Sequence, residues 1–289
     1  MLELLRRWTE ATDGLLTFDV HYQYELYQGP EAVEACAAGA LPLCQTNPYD
    51  AYSWDPRWDI YNTPMIFDDF DHMERFNDSP VMQEFRATME AKGTRIIPGT
   101  LHSAMASMPI YTTFPFTSID EFVGHDMRVL SGPVYAKMAK LLGVNGITIS
   151  SSELPVALQT GMVDMMHGGG QRGYVDSLGI ADSMAYFMQP DLTTSTYWTF
   201  MSTQWFRSLP KEWQEKMDKI CEEWQPWAHD FYREETVASK EYLRECLTEI
   251  VLSDAEVVKL RQKIAPIYED YAKLHKGSQA ILDAIEAAR

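Results

Sequence analysis

The stretch from Ile119 to Gly170 constrains the fold most, because its apolar period switches repeatedly between that of a strand and that of a helix. DMRVL (Asp126–Leu130) is short, β-competent and follows the breaker Gly124. Val134, Met138, Leu141 and Leu142 then share one helical face, and Gly143 stands where a left-handed residue would stop the helix. GITIS (Gly146–Ser150) predicts a second strand. Ser150, Ser151 and Ser152 are candidate N-caps for the helix after it. Ser150 with Glu153 matches a capping box but leaves Pro155 at the fifth helical position. Ser152 puts Pro155 in the first turn, where no N–H is needed, and is preferred. Gly161 closes that helix and MVDMMH predicts a third strand.

Strands alternating with single helices imply right-handed crossovers and a parallel sheet, with ligands beyond the carboxyl ends of the strands. Arg128 lies in the second half of the first of these strands. A guanidinium is always charged and costly to bury unpaired, so Arg128 requires an anion. That anion is either a bound ligand or an internal carboxylate, Glu153 or Asp164.

The run T-S-I-D-E-F-x-G-x-D-M-R-V, then L-L-G, then S-E-L-x-x-A-L-Q-T-G-x-V-D resembles the DctP-type solute-binding proteins of tripartite ATP-independent periplasmic (TRAP) transporters. Trp205 to Gln214 is similar to the segment that opens that family's long C-terminal helix. The resemblance runs from about residue 8 to about residue 275. It implies an α/β, two-lobed, periplasmic-binding-protein-like fold. A ligand cleft lies between the lobes, a long helix bridges them, and Arg128 grips a carboxylate. The expected division is lobe I over 1–105, with 200–235 returning to it, and lobe II over 106–199, with 236–289 packing on it.

The 289 residues suit two lobes with a core in each. A formal net charge of −18 argues against nucleic acid and makes one local cation more informative. No apolar run is long enough to span a membrane, and no leader is visible. For a periplasmic protein the expectation is therefore a signal peptide already removed. The cysteines are Cys36, Cys44, Cys221 and Cys246. On one helix Cys221 and Cys246 would sit roughly 37 Å apart, beyond disulfide reach. Cys36 and Cys44 straddle a helix end and are able to meet, though neither forms a CxxC or a metal spacing.

Met1 to Thr12 has a helical pattern ended by Asp13-Gly14, and LLTFDVHY (Leu15–Tyr22) predicts a strand. The family's first strand normally precedes this helix, so the numbering is expected to begin after it. A helix from Gly29-Pro30 to Ala38 precedes a strand ending at Gln45, Thr46 and Asn47. These three residues face the cleft or make a turn with Pro48. Tyr49, Tyr52 and Trp54 are cleft candidates, while Phe67 and Phe70 suit packing. Asp78 to Lys92 predicts a helix and TRIIPG a buried strand. At Leu101, where some branches of the family place a second basic residue, the chain has Leu101, His102 and Ser103.

His167-Gly168-Gly169-Gly170-Gln171-Arg172 departs from the family's pattern and is no P-loop. His167 either touches the ligand or is a satisfied core histidine. The second half of Ile180–Ser202 predicts the return crossing. Lys211 to about Thr248 predicts a helix kinked at Pro226, and Ser253 caps a last helix.

The leading expectation is thus a periplasmic receptor that hands a small organic anion to TRAP membrane permease subunits, acting as a monomer. The expected ligand-binding set is Arg128, His167, Asn47, Gln45, Tyr49, Trp54, Gln171 and Trp198, with no catalytic residue, metal or cofactor. One alternative is a sensing module on the same fold. Another is a hydrolase using His167 with Asp164, although no GxSxG, HExxH or CxxC is present.

Overall fold

The computed structural model describes residues 1–22, 25–97 and 103–289, and of residues 103–107 and Ser195 the backbone alone. Leu101 and His102 therefore lie outside the described residues, as does the Ser103 side chain. Helices run over α1 (Leu2–Ala11), α2 (Gly29–Ala37), α3 (Phe70–Asn77), α4 (Pro80–Ala91), α5 (Pro133–Leu142), α6 (Leu154–Gln159), α7 (Arg172–Ser177), α8 (Ile180–Ser183), α9 (Thr203–Ser208), α10 (Lys211–Cys246), α11 (Asp254–Leu274) and α12 (Ser278–Ala287). Strands run over β1 (Leu43–Thr46), β2 (Thr94–Ile96), β3 (Ser103–Met108), β4 (Ile110–Thr112), β5 (Asp126–Val129), β6 (Asn145–Thr148), β7 (Met165–His167), β8 (Tyr186–Gln189), β9 (Thr193–Ser202) and β10 (Thr248–Val251).

Two sheets organise the molecule. In the first lobe β1 and β2 flank β9, and β3 pairs with the early part of β9, all antiparallel. In the second lobe the order is β10-β8-β4-β7-β5-β6. β5 pairs parallel with β6 and β7, as strand–helix–strand units require. β4 runs antiparallel to β7 and β8, so the sheet is mixed rather than parallel throughout. The reason is local: β4 enters directly from β3 with no helical crossover.

The apolar faces sort into two main cores. Trp58, Phe76, Phe85, Trp198 and Phe200 fill the first lobe, and Ile119, Phe122, Met127, Met138 and Met165 fill one face of the second sheet. Met166, Leu154, Val175 and Phe187 cover its other face. α10, 36 residues and roughly 54 Å long, joins the lobes. Met217, Cys221 and Trp224 near its start pack with Leu4 and Trp8 of α1, while Leu243 near its end packs with Tyr111 and Phe187. Pro226 sits within this helix without ending it.

Several expectations are corrected. Leu15–Tyr22 forms no strand; Leu16 and Phe18 pack against the α1 core instead. α6 is capped by Glu153, not Ser152. The Glu153 carboxylate accepts from the Ser150 N–H (3.4 Å) and hydroxyl (2.6 Å), closing a separate turn ahead of the helix. Thr248–Val251 is a strand beside β8 rather than the end of α10. β9, including residues 193–199, pairs within the first lobe's sheet, and Ile281 and Ile285 of α12 join the first core rather than the second. α11 spans both, with Leu260 and Ile264 in the second core and Tyr271 in the first. The four cysteines are free thiols, and Cys36 donates to the Phe200 carbonyl at 3.4 Å.

Candidate functional site

Sheet alternation sends Arg128 to the face of its register partners, Ile147 in β6 and Met166 in β7. There it is only 1% exposed. Its Nε donates to the Ile149 carbonyl at 3.0 Å and its Nη1 to the His167 carbonyl at 2.7 Å. Both acceptors are neutral. The two acids able to neutralise it from within are engaged elsewhere: Asp164 holds His125 Nδ1 at 2.6 Å, and Glu153 holds Ser150. Among the described residues no carboxylate forms an ion pair with Arg128. A permanent charge buried on two carbonyl dipoles alone is costly, and a carboxylate beside it offsets that cost.

The guanidinium lies beside Gly168, next in the chain to the cleft-lining Gly169, and Arg128 itself is not among the lining residues. A Cβ at Gly168 would come within 2.7 Å of Met166 Cε and 3.4 Å of Arg128 Nη1, so a larger residue there requires the Met166 side chain to shift. The Tyr111 hydroxyl fixes this loop by donating to the Gly169 carbonyl at 2.9 Å. Asn47, Tyr49, Tyr61 and Asn62 of the first lobe form the opposite wall, and Thr194, Thr196 and Tyr197 on β9 form the floor between lobes. The cleft encloses about 140 Å³.

One polar chain crosses the cleft. The Tyr135 hydroxyl donates to Asn62 Oδ1 at 3.0 Å, and Asn62 Nδ2 donates to Asp59 Oδ1 at 2.7 Å. Burial raises the Asp59 carboxyl above its ordinary range, against the pull of the Asn62 hydrogen bond. The Tyr135 phenol is pushed up by burial and then by Asp59, with Arg128 opposing, so it stays a neutral donor.

The expected site residues divide. Asn47, Tyr49 and Gln171 line the cleft, whereas Arg128 is buried and outside that lining. His167 contributes its carbonyl rather than its ring. The ring, fully buried on the Met165 face of β7, meets Thr193 Oγ1 through Nε2 at 2.8 Å, and its Nδ1 finds no partner among the described residues. Burial, then the nearby Arg128 charge, depress its pKa to about 3. The His167–Asp164 pair of the hydrolase alternative does not form, because Asp164 takes His125. Gln45 is exposed on the face of β1 opposite Thr46, outside the cleft lining. Trp54 packs against the first core, and Trp198 is buried edge-on to Trp58 and Tyr61. It is its neighbour Tyr197 that reaches the cleft.

The sequence reading names neither Tyr135 nor Tyr174 for the cleft and treats Ser151 as a candidate helix cap, although each follows a strand of the central block and the carboxyl-end rule covers all three. Tyr61 and Asn62 carried no such signal, since only the meeting of the lobes brings them there. A second cavity of about 380 Å³ lies between Phe67, Pro190 and Lys240, but its charges are already paired, Lys240 with Asp191 and Arg261 with Asp68. Among the described residues no group of His, Cys, Asp and Glu is arranged to hold a metal, and no helix is long and apolar enough to cross a membrane.

The model of the DctP family, bacterial extracellular solute-binding protein family 7, matches residues 1–274. The chain belongs to this family. It is therefore a periplasmic solute-binding protein of the DctP type. A solute-binding protein of Chromohalobacter salexigens is 21% identical over 282 residues, 97% of this chain and 82% of the relative. The C4-dicarboxylate-binding periplasmic protein DctP of Rhodobacter capsulatus is 22% identical over 284 residues, 96% and 82% of the two chains. Among solved structures, a TRAP periplasmic solute-binding protein of Chromohalobacter salexigens with bound D-glucuronate aligns with a TM-score of 0.86 at 20% identity, covering 100% of this chain and 94% of the other. DctP6 of Bordetella pertussis, a receptor binding pyroglutamic acid, aligns at 0.87 and 17% identity, covering 99% and 93%. At these identities the structural likeness speaks for the fold.

Proposed function

We propose that this receptor captures a small organic acid between its lobes, with the ligand carboxylate against Arg128, and delivers it to TRAP permease subunits in the membrane. The observation that carries this reading is the buried guanidinium held by two neutral carbonyls while both nearby acids are committed elsewhere. The acids named for its structural neighbours, D-glucuronate and pyroglutamic acid among them, each present one carboxylate to such a group. Asn47, Tyr49, Tyr135, Gln171 and Tyr174 then meet the rest of the ligand through amides, hydroxyls and ring faces. Closure of the lobes excludes water and strengthens the contact with Arg128.

On this reading the protein binds without turnover and acts as a monomer. With a net charge of −18 it has no affinity for nucleic acid. Thermal unfolding against a panel of organic acids and their uncharged methyl esters tests it. An acid at 100 times its dissociation constant stabilises by about 2.7 kcal/mol, and its ester leaves the transition in place. Equal shifts from acid and ester would remove Arg128 from the binding role.

A further inference from the structure

We infer that the cleft is matched to ligands carrying a single negative charge and discriminates against dicarboxylates. The inference rests on the organic-acid reading above and narrows it. Among the described residues lining the cleft every side chain is uncharged, with Asn47, Asn62, Tyr135, Gln171 and Tyr174 supplying the polar surface. Arg128 lies beside that surface at Gly168, and among the described residues that line the cleft there is no lysine, arginine or histidine. Gln23, Tyr24, 98–107 and Ser195 add no lysine or arginine and one histidine, His102, a residue type that is ordinarily neutral at pH 7.5.

The nearest further candidates are turned away. Arg172, adjacent to Gln171, is directed at Asp176 (3.6 Å) and lies 4.8 Å over the Tyr242 ring. His167 has its ring packed beside Tyr135, 5.5 Å between ring centroids, with Nε2 committed to Thr193. Behind the first-lobe wall Asp59 holds Asn62 and Asp50 accepts from the Thr46 hydroxyl, while Arg86, on the far side of the Tyr61–Asn77 hydrogen bond, donates to the Asn77 carbonyl at 2.9 Å. A second ligand carboxylate would therefore lose its water against neutral amides and phenols, with carboxyl groups behind them. It enters only by taking up a proton. This chain then differs in charge preference from the C4-dicarboxylate-binding protein of Rhodobacter capsulatus that it resembles at 22% identity.

Titration calorimetry at pH 7.5 with matched pairs tests the inference: D-gluconate against D-glucarate, and glutarate against its monomethyl ester. The monoanion of a binding pair is expected to bind at least on the order of a hundredfold more tightly than its dianion. Any residual dicarboxylate binding is expected to strengthen toward pH 5, with proton uptake read from the dependence of the heat on buffer ionisation enthalpy. A dicarboxylate that binds as tightly as its partner at pH 7.5, without proton uptake, overturns the charge preference and leaves the acid receptor intact. If no member of these pairs and no acid of the wider panel binds, the organic-acid reading fails and this inference falls with it.

Discussion

The Arg128 guanidinium and the backbone carbonyl of His167 meet at 2.7 Å, joining the middle of β5 to the end of β7 just below the cleft. The bond uses one donor of a group that has five, and the Ile149 carbonyl uses another. Three donors remain, and they keep the fork geometry that suits a carboxylate, as the proposed binding role requires.

Replacing Arg128 with methionine keeps much of the stem and removes the charge. Ligand affinity is expected to fall by about 2–5 kcal/mol, roughly thirtyfold to several thousandfold, because the ligand anion loses its buried partner. The ligand-free protein is expected to melt no lower than wild type, since the substitution also removes an unneutralised charge from the interior. Calorimetric affinity and a ligand-free melt check both halves. A collapsed ligand-free melt would mean that the guanidinium serves the fold.

His167 gives a pH signature. Its folded pKa, near 3, lies below the ordinary value of about 6.5, so the unfolded chain binds the proton first. Its neutral form supports full stability above pH 6.5. That contribution declines as pH falls below 6.5, by up to about 1.4 kcal/mol per pH unit, until pH approaches 3. His167→Gln is expected to flatten this slope between pH 6.5 and 5 in urea unfolding curves. Equal slopes in the two proteins would show that the imidazole is not buried in the neutral state.

Tyr135→Phe removes the hydroxyl that reaches Asn62 across the lobes. Asn62 Oδ1 is then left in a buried setting without its donor, costing about 1–2 kcal/mol of stability. Because the pair ties the two walls together, the variant is also expected to show a faster ligand off-rate in stopped-flow fluorescence. Tyr135→Phe with unchanged stability would place water, not the phenol, on Asn62.

Two glycines separate backbone strain from mere smallness. Gly143 stops α5 with φ of 79°, and a Cβ there would press Val123 at 3.1 Å, so Gly143→Ala is expected to cost about 1–2 kcal/mol. Gly173 lies inside α7 with open space around it, so Gly173→Ala is expected to be neutral or to stabilise by up to about 1 kcal/mol. Paired thermal melts compare them directly.

The sequence by itself determined the units whose signals are local. Val134 to Leu142 announced α5 through its apolar period, Gly143 announced its end, and Arg128 on a short apolar strand announced a buried charge that needs an anion. Those features depend on neighbours a few residues away, so the chain's order is enough to read them. Tertiary structure alone decided that neither candidate carboxylate pairs with Arg128, because Asp164 and Glu153 turn to His125 and Ser150. It also decided that His167 lends its carbonyl and buries its ring, that Tyr197 rather than Trp198 faces the cleft, and that Asn62 meets Tyr135. Each of these is a choice between two faces of a strand or between partners far apart in the chain. Such a choice is made only when the sheets stack and the lobes come together.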